Sequence, residues 1–234
     1  MIPNLQARSL VPERMDDPTL PESDHLQALR GLRRINRWTG HAQLAWQPIR
    51  QLAATNGARP LTLLDIATGS GDVAQCLLRY ASAQGTELEL HACDISPTAI
   101  EFARHGFTAD ASINLFQLDV VSEPLPHQYD VVMCTTFLHH LSEADVLQTL
   151  RKMRAAARRR VVVVDLERSA LNWWQVWLGC HLLSRSSVVH FDGPQSVRAA
   201  FTISEMREFA AEVGFKSIRL QRRWPCKFLF VGDV

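Results

Sequence analysis

Two adjacent histidines, His139 and His140, follow the apolar run Tyr129 to Thr135, and Asp165 closes the run that begins at Arg160. An imidazole with an ordinary pKa near 6.5 can take a proton at neutral pH, and a carboxylate beside it fixes its tautomer. Adjacent parallel strands end on one edge, so Asp165 should emerge beside the histidine loop, with His139–Asp165 as the expected pair. The choice between His139 and His140 stays open. So does a plain structural reading, in which both histidines pack or cap the helix at Ser142. His190, in His190-Phe191-Asp192-Gly193-Pro194, looks like part of a turn re-entering the site and is a reserve base. Three more acids, Asp65, Asp94 and Asp119, stand at the ends of strand-like runs. Asp94 can accept both hydroxyls of a ribose, with Ser96 left to cap the next helix. Gly69-Ser70-Gly71 lies between a buried run and a helix, where glycine lets backbone approach a ligand closely.

These residues need a scaffold, and the chain's periodicity supplies one. From Pro60 onward, short apolar runs alternate with helical periods. Strands are expected at Leu61 to Ala67, Leu88 to Asp94, Ile113 to Leu118, Tyr129 to Thr135 and Arg160 to Asp165, where four successive valines suit a strand buried on both faces. Helices are expected at Asp72 to Ala83, from Pro97 through Arg104, after Ser142, and from Thr202 to Gly214. Lys216 to Gln221 and Cys226 to Val231 follow with no helix between them, so they should form an antiparallel hairpin. The fold class is α/β: a Rossmann-like, seven-stranded, mostly parallel sheet with an antiparallel terminal hairpin strand. Residues 1–22 read as an extended, mobile arm. Residues 23–58 read as a helical lid capped by Ser23 and Asp24 and ending near Asn56-Gly57. Residues 59–234 read as the main domain, with a lid insertion at 170–200.

The run Leu63-Leu64-Asp65-Ile66-Ala67-Thr68-Gly69-Ser70-Gly71-Asp72 resembles motif I of the class I S-adenosylmethionine-dependent methyltransferases, and the element order extends that resemblance over roughly residues 60–232. The family often has glycine where this chain has Ala67. The resemblance implies S-adenosyl-L-methionine as cofactor, with S-adenosyl-L-homocysteine as product. It implies that Asp65 meets the cofactor's ammonium group, Asp94 its ribose and Asp119 its adenine amino group. Ala67, Thr68, Gly69, Gly71, Ile95, Val120 and Thr135 would line the cofactor, and the stretch Thr135 to Leu141 would face the acceptor. Pro12 to Pro18 and Leu29 to Arg37 are similar to bacterial small-molecule methyltransferases of secondary metabolism. That likeness implies O-methylation of a small, hydrophobic, phenolic or polyketide-like acceptor. The spacing Gly69-x-Gly71-x-x-Ala74 also fits a dinucleotide site, so an NAD-dependent oxidoreductase is the rival enzyme. A cofactor-binding regulator without turnover is the rival outside catalysis. No lysine follows Tyr80 or Tyr129 by four positions, which removes the short-chain dehydrogenase reading.

Arg30, Arg33, Arg34 and Arg37 share one helical face, which as a group reads as solvated, with Arg37 the member suited to a cofactor carboxylate. Arg158 to Arg160 suit the negative end of a helix. Trp173, Trp174 and Trp177 are helical neighbours that could wall an acceptor pocket, pack the lid, form a dimer interface or meet a membrane surface. With 25 Lys+Arg against 24 Asp+Glu in 234 residues, net charge +1, no global field favours nucleic acid. The five cysteines form no CxxC pair, so neither a disulfide framework nor a metal site is expected from them. No signal peptide and no run of 18 apolar residues is expected, which makes the expected location cytoplasmic, without stable membrane insertion. The expected assembly is a monomer or homodimer.

Overall fold

The computed structural model describes residues 3–17, 19–55, 59–107 and 113–234. The expected Asn56-Gly57 helix end lies outside the described residues. In chain order the elements are α1 (Glu22–Thr39), α2 (His41–Ala53), β1 (Leu61–Ile66), α3 (Asp72–Ala83), β2 (Leu88–Asp94), α4 (Pro97–Arg104), β3 (Ile113–Gln117) and β4 (Tyr129–Thr135). They continue with α5 (Glu143–Ala156), β5 (Ala157–Leu166), α6 (Ala170–Leu183), α7 (Ser187–Ala199), α8 (Ile203–Val213), β6 (Ser217–Arg223) and β7 (Lys227–Asp233).

The seven strands lie in the order β3-β2-β1-β4-β5-β7-β6. The pairs β3–β2, β2–β1, β1–β4 and β4–β5 are parallel. β7 runs antiparallel to both β5 and β6. The expected terminal hairpin is therefore present, with its return strand inserted between β5 and β6. Strand order reverses between β1 and β4, and open α/β sheets bind ligands outside the carboxyl ends of the strands at such a switch point.

Strand side chains alternate between two apolar layers. Leu64, Ile66, Val132, Cys134, Val161 and Val163 pack toward α5 and α8, onto Leu150, Met153 and Met206. Leu61, Leu63, Val131, Met133, Val162 and Val164 pack toward α2 and α3, onto Trp46, Ile49 and Leu77. The four-valine run thus feeds both layers. Each buried valine contributes about 1.5–3 kcal/mol relative to an exposed one.

The structure corrects several details of the helical segments. The N-cap of α1 is Pro21, without a side-chain hydrogen bond, so Ser23 and Asp24 lie inside the first turn. Thr202 and Glu205 form a full capping box on α8, and Gly214 closes that helix at φ 78°. The expected turn at His190 to Pro194 is instead the middle of α7. Gly193 is small there because a Cβ would collide with Cys180 Sγ of α6. Arg33 and Arg34 are not merely solvated: Arg33 donates to Gln75 Oε1 at 2.7 Å and Arg34 to the Leu183 carbonyl at 2.8 Å. Arg159 and Arg160 reach carbonyls of α2, at Leu52 and Pro48, rather than the end of the preceding helix.

The arm is anchored, not loose. Arg14–Asp16 form a short 3-10 turn. Asp192, buried on α7, accepts hydrogen bonds from the Arg14 N–H at 2.9 Å and the Met15 N–H at 3.0 Å. The Arg8 guanidinium donates to the carbonyls of His139 and Leu141, and the Ser9 N–H to that of Arg198.

Candidate active site

β1 delivers the chain into a tight turn at the sheet's carboxyl edge. Ala67, Gly69 and Gly71 all adopt positive φ, at 53°, 55° and 68°. The first is the position where the resembled family often has glycine, and alanine there costs roughly 1–2 kcal/mol. The two glycines serve different ends. A Cβ on Gly69 would meet no atom within 4 Å, so its backbone faces open space. A Cβ on Gly71 would strike Ala103 and Phe107, so Gly71 lets α4 and the chain after it approach, and it does not line the cavity. Asp94, at the tip of β2, braces the turn: Oδ2 accepts the Gly69 N–H at 2.8 Å and Oδ1 the Ser96 N–H at 2.9 Å. Ser96 Oγ in turn caps α4.

A cavity of about 780 Å³ opens above this turn. Its floor is Ala67–Ser70, Asp94–Ala99, Leu118–Val121 and Thr135–Phe137 with His140 and Leu141. Its roof comes from α1, through His25, Leu29, Leu32 and Asn36, and from the arm, through Glu13, Met15, Asp16 and Leu20. Of the residues expected on the cofactor, Ala67, Thr68, Gly69, Asp94, Ile95, Asp119, Val120 and Thr135 line this space. Asp119 also shapes its own loop, accepting from the Val121 N–H and the Ser122 hydroxyl.

Besides Gly71, two more residues expected on the cofactor, Arg37 and Asp65, do not line the cavity. Arg37 is exposed and outside the cavity. The α1 residues facing inward are 25, 29, 32 and 36, and one further residue rotates Arg37 about 100° away. Asp65 is fully buried behind the turn and does not line the cavity. Its Oδ2 accepts from the Thr68 hydroxyl at 2.8 Å, while Oδ1 has no partner. Burial pushes this carboxyl up to about 7.

At the far end of the floor, a 3-10 turn at Leu138–His140 presents both histidines. It follows Thr136, a β-branched residue at φ 48°, whose N–H is tied to the Val164 carbonyl at 2.8 Å. His139 Nδ1 lies 2.7 Å from Asp165 Oδ1, and both residues are buried. Asp165 also accepts from the Leu166 N–H at 2.7 Å. Burial opposes its charge, but His139 and these hydrogen bonds hold the carboxyl below its usual range. An ionised Asp165 assigns the proton to His139 Nδ1 and leaves Nε2 with a lone pair. That Nε2 points at Glu13 Oε1, 3.7 Å away. His140 lines the cavity and lies 3.2 Å from Asp16 Oδ2. Burial disfavours its charge, yet Glu13, Asp16 and Asp165 outweigh that and raise its pKa to about 9. His190 stacks on His181 and meets the Ser184 carbonyl at 2.9 Å, outside the cavity, so it is not a reserve base.

The tryptophans do not wall the cavity. Trp173 packs beside Leu166, Val197, Ala200 and Cys226, and Trp174 is 45% exposed. What the sequence reading missed is the arm. Glu13 and Asp16 sit in a proline-rich segment without apolar period, and only an unexplained acid on the apolar face of α7, Asp192, hinted at a partner.

The donor set suits S-adenosylmethionine. The open backbone at Gly69 and the Asp94 carboxylate beside it offer a close approach and ribose acceptors.

A sequence family described as a methyltransferase domain matches residues 64–170. Over 92 residues the chain is 32% identical to the non-reducing polyketide synthase prhL of Penicillium brasilianum, an alignment covering 38% of this chain and 4% of that protein. The chain thus spans a small fraction of that relative. Human N-acetylserotonin methyltransferase in complex with SAM superposes at TM-score 0.66 and 14% identity, covering 91% of this chain and 56% of that one. The citrinin polyketide synthase CMeT domain gives 0.63 at 16% identity, over 82% and 51% of the two chains. Magnesium protoporphyrin IX methyltransferase from Synechocystis PCC 6803 with bound SAH gives 0.57 at 17% identity, over 83% of each. At such identities the solved structures speak for the fold, and with the family match they decide against the dinucleotide reading. Residues 64–170 thus match a methyltransferase-domain family, and the sheet order and the cavity at the switch point agree with the fold of the solved methyltransferases.

Proposed function

We propose that this chain methylates an oxygen of a small, hydrophobic, phenolic or polyketide-like acceptor, with His139 as the base. The observation that carries the reading is the buried His139–Asp165 pair, 2.7 Å apart, directly behind His140, which lines the cavity. S-adenosylmethionine, when bound, supplies a methyl group already activated on a positively charged sulfur. The chain's own task is to align the acceptor and remove its proton. His139 Nε2 takes the hydroxyl proton as the oxygen–methyl bond forms, and Asp165 balances the imidazolium that results. Glu13 covers that nitrogen, so the acceptor reaches it when the arm carries Glu13 aside. Leu29, Leu32, Leu20 and Phe137 then face the acceptor's apolar body.

A second reading is favoured by the relatives' names. Several belong to polyketide synthases, and one solved neighbour is the DszA carbon methyltransferase, at TM-score 0.63 and 13% identity. The same base could remove a proton from a carbon between two carbonyls. Nuclear magnetic resonance of the product separates the two, because oxygen-bound and carbon-bound methyl groups resonate apart.

Single-turnover methyl transfer onto a panel of phenols and 1,3-dicarbonyls tests the core of the proposal and separates an enzyme from a silent cofactor binder. His139→Ala should lower turnover by roughly 10²–10⁴-fold while S-adenosylhomocysteine affinity stays within a factor of about two. Asp165→Asn should fall in the same direction, with the double variant little worse than either. Full activity in both single variants would remove the base from this loop.

A further inference from the structure

Proton transfer accounts for His139 and Asp165 but leaves the surrounding geometry unexplained. Glu13, His139 and His140 each offer one donor atom, and those atoms lie within 4.8 Å of one another. Glu13 Oε1 is 3.7 Å from His139 Nε2, and Glu13 Oε2 is 4.0 Å from His140 Nε2. Donors around a tetrahedral zinc ion stand roughly 3.3 Å apart, given bonds near 2.0–2.1 Å. Glu13 thus stands within about an ångström of that spacing from each histidine, and filling the site draws the three donors together from within 4.8 Å of one another.

The supporting groups carry the argument further. A metal-ligating imidazole usually donates its other N–H to a carboxylate, which fixes the tautomer and aims the lone pair. Both histidines have that partner. His139 Nδ1 is 2.7 Å from Asp165, and His140 Nδ1 is 3.2 Å from Asp16. The third ligand is held too, since the Ser196 hydroxyl donates to Glu13 Oε1. Each of the three donors thus has its own orienting group from a different part of the fold. Glu13 and His140 line the cavity, which supplies an entry path and room for a water on the ion's remaining position. Two imidazoles with a single carboxylate suit zinc-class ions rather than magnesium or calcium, which prefer oxygen donors.

We propose that Glu13, His139 and His140 form a tridentate site for a divalent transition-metal ion, and that filling it silences methyl transfer. The silencing rests on the proposed base role of His139: its Nε2 cannot hold a metal and accept the acceptor's proton at once. A bound ion would also pin the arm, through Glu13, across the acceptor end of the cavity.

Metal-stripped full-length chain, titrated with Co²⁺ and with Zn²⁺, tests the site by absorption and calorimetry. One equivalent should bind, with a visible cobalt band typical of mixed nitrogen and oxygen ligation. Glu13→Gln and His140→Ala should each weaken binding at least tenfold. Asp16→Asn retains all three ligands and should weaken it roughly 10–100-fold, so it serves if Glu13→Gln does not fold. His181→Ala and His190→Ala, at the other histidine pair, should leave binding unchanged. Turnover should fall at least tenfold as Zn²⁺ fills the site and return with a chelator. Absence of stoichiometric binding, or binding indifferent to the Glu13, His140 and Asp16 substitutions, would overturn the site and leave the base reading standing. Turnover that rises with occupancy would overturn the silencing and the base role together.

Discussion

Asp94 does two jobs with one carboxylate. Its oxygens already hold the Gly69 and Ser96 N–H groups, yet each keeps a second lone pair toward the cavity. If those accept the ribose hydroxyls, Asp94→Ala should weaken S-adenosylhomocysteine binding by about 2–4 kcal/mol, and Asp94→Asn by less. Calorimetry on folded variants checks this, and an unchanged dissociation constant would take Asp94 out of the ribose site. Asp65 poses a different question, because it is buried with one oxygen unpartnered and a pKa of about 7. An unfolded aspartate titrates near 3.9, so the folded value is raised. The sign follows: the protein is favoured while Asp65 is protonated, below about pH 4, and loses that stability as pH rises toward and through 7. Asp65→Asn should therefore gain on the parent as pH rises from 4 to 8. Urea denaturation of both proteins across that range reads the difference, and parallel profiles would contradict the buried, neutral carboxyl.

Among the elements, α7 decides where the arm lies. Asp192 faces inward from α7 and holds two backbone N–H groups of the arm, while Ser196, one turn on, holds Glu13. Each bond to a charged acceptor contributes roughly 1.5–3 kcal/mol. Asp192→Ala should release the segment around residues 8–17, and amide exchange there should accelerate at least tenfold while β1, β4 and β5 stay protected. Uniform acceleration would instead mean that Asp192 supports the whole fold. α6 behaves differently. Its Leu171, Trp174, Leu178 and Leu182 recur along one exposed face, while Trp173 packs inward. Burial all round the helix would make it a core element, and one free stripe makes it a covering layer.

At the scale of the whole molecule, a rigid sheet carries the cavity floor and separate, smaller packing units carry its roof. α1 joins α6 and α7 in an apolar cluster of Ala28, Cys180, Val188 and Val189, distinct from the two layers that sandwich the sheet. Lids are drawn from the less stable parts of a fold. S-adenosylhomocysteine should accordingly slow amide exchange in α1 and the arm as well as around residues 65–71. Protection confined to that turn would make α1 a fixed wall. No helix among the described residues is long and apolar enough to cross a membrane. The sequence by itself determined the parallel sheet, the antiparallel ending and the placement of Asp165 beside the histidine loop, while the structure chose His139 over His140 as its partner. Each follows from a local period, or from the rule that parallel strands end on one edge. It also determined the turn after β1, because glycine at positive φ has a local cause. Only the tertiary structure decided that Arg37 faces away, that Gly71 serves packing and that His190 lies within a helix. It alone brought Glu13 and Asp16 over the histidines. The last of these depends on contacts between residues more than a hundred positions apart, and all of them depend on tertiary packing, which leaves no period in the chain.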